Sequence, residues 1–515
     1  MCGILHILLT AAHTNGEIRQ RKESVDMQPL SINLAYNRTR LEHDFADCDD
    51  LAVLPWQFGP EMGNQAVSFY FNTLVQQKKH NFMKMALQDL VEMTIGPGTE
   101  VTIDAIRSYF SNHVASNDSA VLVYSYEAVK ENMLNGDVVI LFDGWDVALA
   151  FHAISLEKRQ VAEPSTESVV QGPREGTVED LTTNIGLIRS RIRSHLLKLE
   201  YVDTGGTMNT RLAYLYVENV VDPNTLALFR ERIATLDVEV LEASYIEQVL
   251  EDSILSPFPQ VKYTERTDVV AANLMDGKIT VLVQGTGTVL ICPGLFSEFL
   301  QTAEDYYQRT LISTLIRLMR WVAFFIALTL PSIYVALSTF HTELIPTVLL
   351  LAIIDSREGI PFPAFIEALI MEFFFELLRE AGIRLPKPVG SAVSIVGALV
   401  IGEAAINAGI ASPIMVVIVA ITGIASFALP QYNLASALRI LRFPLMMMAA
   451  FLGGFGVMIG MLWILLHMTS LRALGEPYMT PLAPAKYAQW RDIFIRGPLD
   501  PLIVTNRNKR MLKKR

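Results

Sequence analysis

The sequence predicts an α/β N-terminal region of two subdomains followed by an α-helical domain that crosses a membrane several times. Hydrophobic residues make up 51% of the 515 positions, and the mean hydropathy of +0.33 is high for a soluble chain. The apolar residues are unevenly placed. Positions up to 305 alternate short strand and helix patterns, whereas 306–471 holds apolar runs of membrane-spanning length.

Changes in composition divide the chain into five segments. They are a lead-in at 1–50, a first α/β subdomain at 51–158, a second at 159–305, a multi-span domain at 306–471 and a basic C-terminal tail at 472–515. The short apolar run at the N-terminus has no Lys or Arg before it, so no signal peptide is expected. The α/β region is therefore expected in the cytoplasm.

The charge balance and the missing motifs exclude several function classes. The net charge of −11 argues against nucleic acid as a partner. No nucleophile elbow, zinc-protease helix, Walker A loop or dinucleotide fingerprint is present, so neither an enzyme nor a cofactor is predicted. The three cysteines, Cys2, Cys48 and Cys292, lie far apart without metal-site spacing.

The C-terminal end is basic in contrast to the rest. Its cationic residues are Arg507, Lys509, Arg510, Lys513, Lys514 and Arg515. Such a tail suits an anionic membrane surface, but a solvated, disordered terminus is the favoured interpretation.

Several stretches of the α/β region predict particular elements. Asp137–Ile154 and Lys278–Ile291 each predict two strands joined by a glycine-containing turn. Val178–Leu199 predicts one long helix. Arg211–Val221, followed by a helix that starts at Asp222–Pro223, predicts a β-α-β unit with a right-handed crossover.

A loop between the two subdomains carries candidate contact residues. Arg174 and Glu175 follow Gly172-Pro173, and they predict an interdomain or intersubunit contact. A local salt bridge that fixes the loop is the alternative. Arg189 and Arg191 on the following helix are further contact candidates.

The stretch Ile360–Pro388 combines an apolar context with several charges. At about 100° per residue, Glu372, Glu376 and Glu380 fall on one helix face, and Glu367 points nearly the other way. Ionisable groups among membrane spans usually face a bundle interior or a water-filled path. The row therefore predicts a helix that lines an ion pathway. The alternatives are an interfacial amphipathic helix or charges that pair inside a bundle.

Four other stretches predict membrane spans, at Trp321–Phe340, Val389–Ile410, Pro413–Leu429 and Phe443–His467. Leu344–Ile354 is too short to span alone, and it is expected as a tilted half-span or as part of a re-entrant unit with the helix that carries the glutamate row. Gln431–Arg442 is expected as an amphipathic segment, with Arg439 and Arg442 at the cytoplasmic face. The number of crossings stays open between five and six. Both chain ends are expected on the same side.

Two residues within the predicted spans are further candidates. Pro331 predicts a kink and a gating hinge. Glu403 carries the only charge of its span and is a second ion-pathway candidate.

From Phe69 to Leu471 the chain resembles the A subunit of the spore germinant receptors of endospore-forming bacteria. The shared motifs, in order, are Glu163-Pro164 with Glu167, Gly172-Pro173-Arg174-Glu175, Asn184 with Arg189 and Arg191, Pro259-Gln260, Thr264-Glu265-Arg266 with Asp268, Glu304-Asp305-Tyr306-Tyr307, Pro331 with Tyr334, Arg357-Glu358, Pro361-Phe362-Pro363, and Arg379-Glu380-Ala381-Gly382 before Arg384-Leu385-Pro386. The chain departs from the family pattern at Gln171, Thr267, Gln284 and Gly287.

The resemblance implies a membrane subunit in the inner spore membrane that triggers germination. It also implies a permease-like B subunit and a lipoprotein C subunit as partners, and homo-oligomerisation into a nutrient-gated ion channel. In a ring of copies, the glutamate row would attract cations. A secondary transporter of a small solute and a non-conducting scaffold are the alternatives.

Overall fold

The computed structural model describes residues 28–58, 63–75, 120–154, 164, 167, 169–203, 210–236, 242–385, 397, 399–490 and 492–497. Several predicted features lie wholly or partly outside these residues. They include the lead-in up to 27, the strand expected at 238–241, the first part of the span at Val389–Ile410, and the basic tail beyond 497.

A five-stranded antiparallel sheet forms the first α/β unit, with strand order β1-β2-β4-β5-β3. Its elements are α1 (Leu34–Asp44), β1 (Leu51–Phe58), β2 (Asn64–Phe71), β3 (Ala120–Val123), α2 (Tyr126–Leu134), β4 (Asp137–Phe142) and β5 (Ala148–His152). The predicted strand pair around Asp143–Gly144 is confirmed as β4 and β5. Gly144 has a φ of +80°, which glycine adopts without strain.

Helix α1 lies inside the segment that the sequence predicted as a lead-in. Asn33 caps its first turn by accepting a hydrogen bond from the amide of Tyr36. Leu34, Leu41 and Phe45 are buried in the core of the first sheet. This part of the lead-in is therefore packed on the first α/β unit.

A second five-stranded antiparallel sheet follows, with strand order β6-β7-β9-β10-β8. Its elements are α3 (Leu181–Arg191), β6 (Leu197–Asp203), β7 (Arg211–Val217), α4 (Pro223–Ile233), α5 (Ala243–Leu250), β8 (Lys262–Thr264), α6 (Thr267–Met275), β9 (Ile279–Val283) and β10 (Val289–Cys292). Asp222 caps α4 through the amide of Thr225, as its position before Pro223 predicts.

One prediction for this unit is wrong. The predicted helix over Val178–Leu199 ends at Arg191, and β6 begins at Leu197. Leu197 and Leu199 are buried in one core cluster, which the alternation of a strand allows. The β-α-β unit stays a prediction, because its second strand, expected at 238–241, lies outside the described residues. The chain after β7 and α4 leads to β8, at the edge of the sheet opposite β6.

The two α/β units are joined by a buried contact. Arg189 of α3 forms an ion pair with Asp50, and their side chains are 2% and 0% exposed. The guanidinium lies 4.2 Å from the ring centre of Phe71, on the first sheet. Leu199 adds backbone hydrogen bonds, accepting from Asp49 at 3.0 Å and donating to Asp47 at 2.9 Å.

The rest of the chain is largely helical. It comprises the 3-10 turn Phe296–Leu300, α7 (Glu304–Tyr307), α8 (Thr310–Thr339), the 3-10 turn Thr342–Leu344, α9 (Thr347–Ser356), α10 (Ala364–Arg384), a helical stretch at 399–407, α11 (Pro413–Phe427), α12 (Tyr432–Ser470), β11 (Arg472–Ala473), β12 (Glu476–Pro477) and α13 (Tyr487–Trp490). Within the described residues, α8 and α12 are the two helices long and apolar enough to cross a membrane.

Helix α12 folds back on itself at Gly453, whose φ of +61° and ψ of −141° are not helical. Just before the helix, Gln431 contacts the carbonyl of Tyr263, and near its end His467 contacts Ser256, so both ends reach the second α/β unit. A straight helix would separate these ends by roughly 54 Å at about 1.5 Å per residue. Gly460 packs against Leu445 of the first limb. The two limbs therefore lie side by side as a hairpin.

The end of the helical bundle beside the second α/β unit is called the near end, and the opposite end the far end. The hairpin turn at Gly453 meets Phe340, which follows α8, at the far end. At the near end, Arg379 of α10 lies over the rings of Phe427 and Tyr432. These contacts fix the directions of α8, α10 and α11.

Within the described residues, the chain thus passes along the bundle six times. The passes are α8, α10, the helical stretch at 399–407 with residue 397 before it, α11 and the two limbs of α12. For the third pass, Gly397 packs against Leu378, and Gly409 lies near the carbonyl of Gly359 at the far end. Helix α9 lies between Phe340 and Gly359 in the chain and adds no pass. The predicted separation of an amphipathic segment at Gln431–Arg442 from a last span is wrong, because both belong to the hairpin.

The described part of the C-terminal segment is packed at the near end. Ala473 forms a β-bridge with Glu251 of the second α/β unit. Arg317 of α8 binds Asp305 at 3.0 Å and Asp492 at 3.1 Å. Both ends of the helical region therefore meet on the same side of the bundle.

Candidate functional site

The candidate site is the charged face of α10. Pro363 precedes the helix, and Pro386 follows its last turn, so the backbone is delimited at both ends. The face carries the predicted row of three glutamates. In the structure each of them forms an ion pair with an arginine.

Glu372 is buried in the middle of the bundle together with Arg442 of the first limb of α12. Each side chain is 1% exposed, and Nη1 of Arg442 bonds Oε2 of Glu372. Arg442 was expected at the cytoplasmic face, and that prediction is wrong. A charge this deep is tolerated because an opposite charge and hydrogen bonds compensate for the lost hydration.

The second partner of Arg442 is a backbone carbonyl that the proline in α8 leaves free. Pro331 has no N–H group, so the carbonyl of Ala327, four residues earlier, lacks its helical donor. Nε of Arg442 donates to this carbonyl at 2.9 Å. One guanidinium therefore connects α8, α10 and the first limb of α12.

Glu376 lies one turn closer to the near end and is less buried. Nη1 of Arg439 bonds its Oε2 at 2.6 Å. Arg379, beside the row, lies 4.8 Å from the ring centre of Phe427 and 5.5 Å from that of Tyr432. Aromatic faces stabilise a cation in such a place.

Glu380 ends the row at the surface. It pairs with Arg384 one turn further along α10, at 2.6 Å, and the side chains are 57% and 78% exposed. An exposed pair at this spacing stabilises a helix only slightly. The row thus changes from fully buried to exposed over two turns.

Glu367 points away from the row, as the helical spacing predicts. It is fully buried, accepts from Arg357 at 3.1 Å, and accepts from the amide of Ser412 at 3.0 Å. Ser412 caps α11, so the carboxylate lies at the positive end of that helix. The arginine of the Arg357-Glu358 motif therefore ties the turn after α9 to the starts of α10 and α11.

Glu403 and Pro331 stay apart from the row. Glu403 is exposed, in the helical stretch at 399–407, and no ion pair to it occurs within the described residues. Pro331 lies inside α8, which continues as one helix to Thr339. Its role as a hinge stays a prediction, as does an ion pathway through any of the glutamates.

The contact candidates of the α/β region are spread over three places. Arg189 joins the two sheets through Asp50. Glu175 accepts from Arg191 at 2.9 Å, a local ion pair that fixes the loop to α3. Arg174 lies in the same loop, where Gly172 packs against the ring of Tyr307. A subunit contact through Arg174 stays a prediction.

The junction between the second α/β unit and the bundle holds a carboxyl group with a shifted pKa. Burial raises the pKa of Glu251 to about 7, the amide of Gln260 opposes the shift, and nearby Glu247 adds to it. The carboxylate accepts from that amide at 3.2 Å. Glu251 also forms the β-bridge to Ala473.

Sequence reasoning missed Arg442 and Arg357 as partners of the buried glutamates. Local spacing gave no signal for Arg442, because it lies 70 positions after Glu372 in the chain, beyond α11. Across the part of the chain that the structure describes, no group of three or more His, Cys, Asp or Glu side chains could hold a metal ion.

Fold and site define a class of protein in which an α/β region of two antiparallel sheets precedes an apolar helical bundle with buried ion pairs. The family described as Bacillus/Clostridium GerA spore germination protein matches residues 39–508. The chain belongs to this family, as the motifs of the sequence predict.

Curated relatives share most of the chain. "Spore germination protein KA" of Bacillus subtilis (strain 168) is 46% identical over 375 residues, covering 73% of this chain and 69% of the relative. "Uncharacterized membrane protein YfkQ" of the same organism is 40% identical over 484 residues, covering 93% of this chain and 92% of the relative. "Spore germination protein GerLA" of Bacillus cereus is 42% identical over 367 residues, covering 71% and 75%.

One solved structure is similar to part of the chain. It is the N-terminal domain of the A subunit of the Bacillus megaterium spore germinant receptor GerK3. The TM-score is 0.41 at 23% identity, covering 53% of this chain and 98% of that one.

Proposed function

We propose that the chain is the membrane subunit of a nutrient receptor that triggers spore germination, and that it conducts ions when the receptor is activated. The observation that carries the proposal is the buried Glu372 on α10, within a glutamate row that runs to the near end. Buried ionisable groups in an apolar bundle are costly, and they commonly mark ion pathways.

The helical passes support a multi-pass placement in the inner spore membrane. Six passes leave the α/β region and the C-terminal segment on one side, which is the cytoplasmic side in this proposal. Arg317 and Arg320 at the near end of α8, with Arg384 at the end of α10, agree with the excess of positive charge on that side.

The proposed receptor contains further subunits. A permease-like B subunit takes the nutrient, a lipoprotein C subunit completes the complex, and several copies of this chain surround the ion path. Binding on the B subunit opens the path only if it stabilises the open state more than the closed state. No step of this mechanism requires a cofactor or a catalytic residue.

A non-conducting scaffold is the second candidate function. The pairing of all three row glutamates with arginines favours it, because a neutralised row holds the bundle together without attracting cations. In this case the α/β region recruits the partner subunits and another subunit conducts.

Potassium release from spores on nutrient addition separates the two. Spores with the full chain are compared with Glu372→Gln/Glu376→Gln spores at matched protein levels. Loss of release, or a change in its ion selectivity, with a normally assembled receptor supports conduction by this chain. Unchanged release in assembled receptor contradicts it and favours the scaffold.

A further inference from the structure

We infer that Arg442 is the residue that holds the ion path closed, by neutralising Glu372 and by holding α8 through the carbonyl that Pro331 leaves free. This inference rests on the proposed function and adds the residue that controls it. Arg442 touches both groups at once, through Nη1 to Glu372 and through Nε to Ala327.

The arginine partners neutralise the row of glutamates. While Arg442 pairs with Glu372, the most buried carboxylate of the row carries no net attraction for a cation. Arg439 has the same effect on Glu376. A cation can use the carboxylate of Glu372 only after the first limb of α12 has moved relative to α10.

Arg442 has two acceptors, Glu372 and the carbonyl of Ala327. An arginine can donate in two directions because its five N–H groups form a rigid planar fork. The carbonyl of Ala327 has no helical donor to share with Arg442, because residue 331 is a proline. Pro331 therefore acts here through a freed carbonyl, and α8 need not bend for it to matter.

The contact between Arg442 and Glu372 can be released. Within the described residues, Oε1 of Glu372 and Nη2 of Arg442 have no hydrogen-bond partner, although both side chains are buried. A buried polar group that is only partly satisfied costs free energy. In the closed arrangement, Arg442 is therefore held by its contacts with Glu372 and Ala327 alone, among the described residues. The unsatisfied atoms lower the free energy needed to release it.

The test measures potassium leak without nutrient from spores that carry the full chain. Arg442→Gln is expected to raise the leak about tenfold or more, because the carboxylate of Glu372 is uncovered. Adding Glu372→Gln is expected to suppress that leak. Pro331→Ala supplies an N–H for the Ala327 carbonyl and is expected to give a leak that is smaller than that of Arg442→Gln. Arg211→Gln, at the exposed pair with Asp203 in the second α/β unit, is the control and is expected to change nothing.

A merely structural role for Arg442 predicts different results. Arg442→Gln would then lower the receptor level with no leak, and Glu372→Gln would not change the outcome, which would overturn the inference. If Arg442→Gln fails to assemble, Arg442→Lys takes its place. Lysine keeps the charge but lacks the rigid fork that donates to both acceptors, so an intermediate leak is expected. The inference would also be overturned if neither Arg442→Lys spores nor Pro331→Ala spores leaked potassium.

A second measurement separates this inference from the proposed function. Thermal unfolding of the full chain in detergent is followed for Arg442→Gln, Glu372→Gln and the double variant. The double variant is expected to be more stable than the sum of the single losses predicts, because it leaves no unpaired charge. If no variant ever conducts but this coupling is present, the proposed function fails while the three-helix contact stands. If the coupling is absent, the inference fails whatever the flux.

Discussion

Nε of Arg442 donates to the carbonyl of Ala327 at 2.9 Å, and this carbonyl is the one that Pro331 deprives of its helical donor. Two features that the sequence marked separately, a proline in one span and a glutamate row in another, thus meet at a single arginine. The contact gives the bundle a fixed arrangement of α8, α10 and the first limb of α12.

The buried pair between the two α/β units should contribute strongly to stability. Asp50→Ala leaves Arg189 buried without a counter-charge, and the expected loss is about 3–5 kcal/mol. Thermal unfolding of the full chain in detergent measures it. Asp203→Ala, at the exposed pair with Arg211, is the control, with an expected loss of about 0–1 kcal/mol. Equal losses in both variants would contradict the prediction.

Gly423 should be required where α11 crosses α10. A Cβ at this position would lie 2.3 Å from the ring of Phe375, so Gly423→Ala is expected to cost about 1–3 kcal/mol through overpacking. The measurement is receptor level and unfolding temperature.

Two further variants of this contact make the result specific. Phe375→Leu should restore part of the stability lost in Gly423→Ala, since it removes the clashing ring. Gly402→Ala should be tolerated, because its Cβ would lie 3.5 Å from Val416, an ordinary contact. A Gly423→Ala chain as stable as the wild type would show that α10 and α11 do not approach so closely.

The hairpin at Gly453 predicts on which side each loop lies. Glu343→Cys, at the far end, should react with an impermeant maleimide added outside. Arg472→Cys, after the second limb of α12, should react only once the membrane is permeabilised. Both variants are made in a background with Cys2→Ser. If α12 crossed once as a straight helix, Arg472→Cys would react from outside.

Glu251 predicts that the stability of the junction between the second α/β unit and the bundle depends on pH. The raised pKa of about 7 means that between pH 4.5 and 7 the folded chain holds a proton that the unfolded chain has released. The stability from this group is therefore fully present below about pH 4.5 and is lost as the pH rises to about 7.

Limited proteolysis of the full chain measures this pH dependence at the bridge between β11 and the second α/β unit. Cleavage after Arg472 should be faster at pH 8 than at pH 5.5. Glu251→Gln, which stays neutral, should remove the difference between the cleavage rates at the two pH values. An equal difference in that variant would assign the pH dependence to other groups.

The sequence by itself determined the class of each region. The strand pair around Asp143–Gly144 and the helix after Asp222–Pro223 follow from local patterns of burial and capping, which neighbouring residues set. The same local spacing placed Glu372, Glu376 and Glu380 on one face and Glu367 on the other. The family motifs lie in order along the chain, and the family match bears them out.

Only the tertiary structure decided what these residues contact. The ion pair of Glu372 with Arg442 depends on the packing of the first limb of α12 against α10, and the pair of Asp50 with Arg189 depends on the docking of two sheets. A hydropathy pattern records how apolar a segment is but carries no information on its direction or its neighbours. Arg442 therefore looked like an interfacial charge in the sequence, and the structure shows it buried because two acceptors from distant parts of the chain compensate for its desolvation.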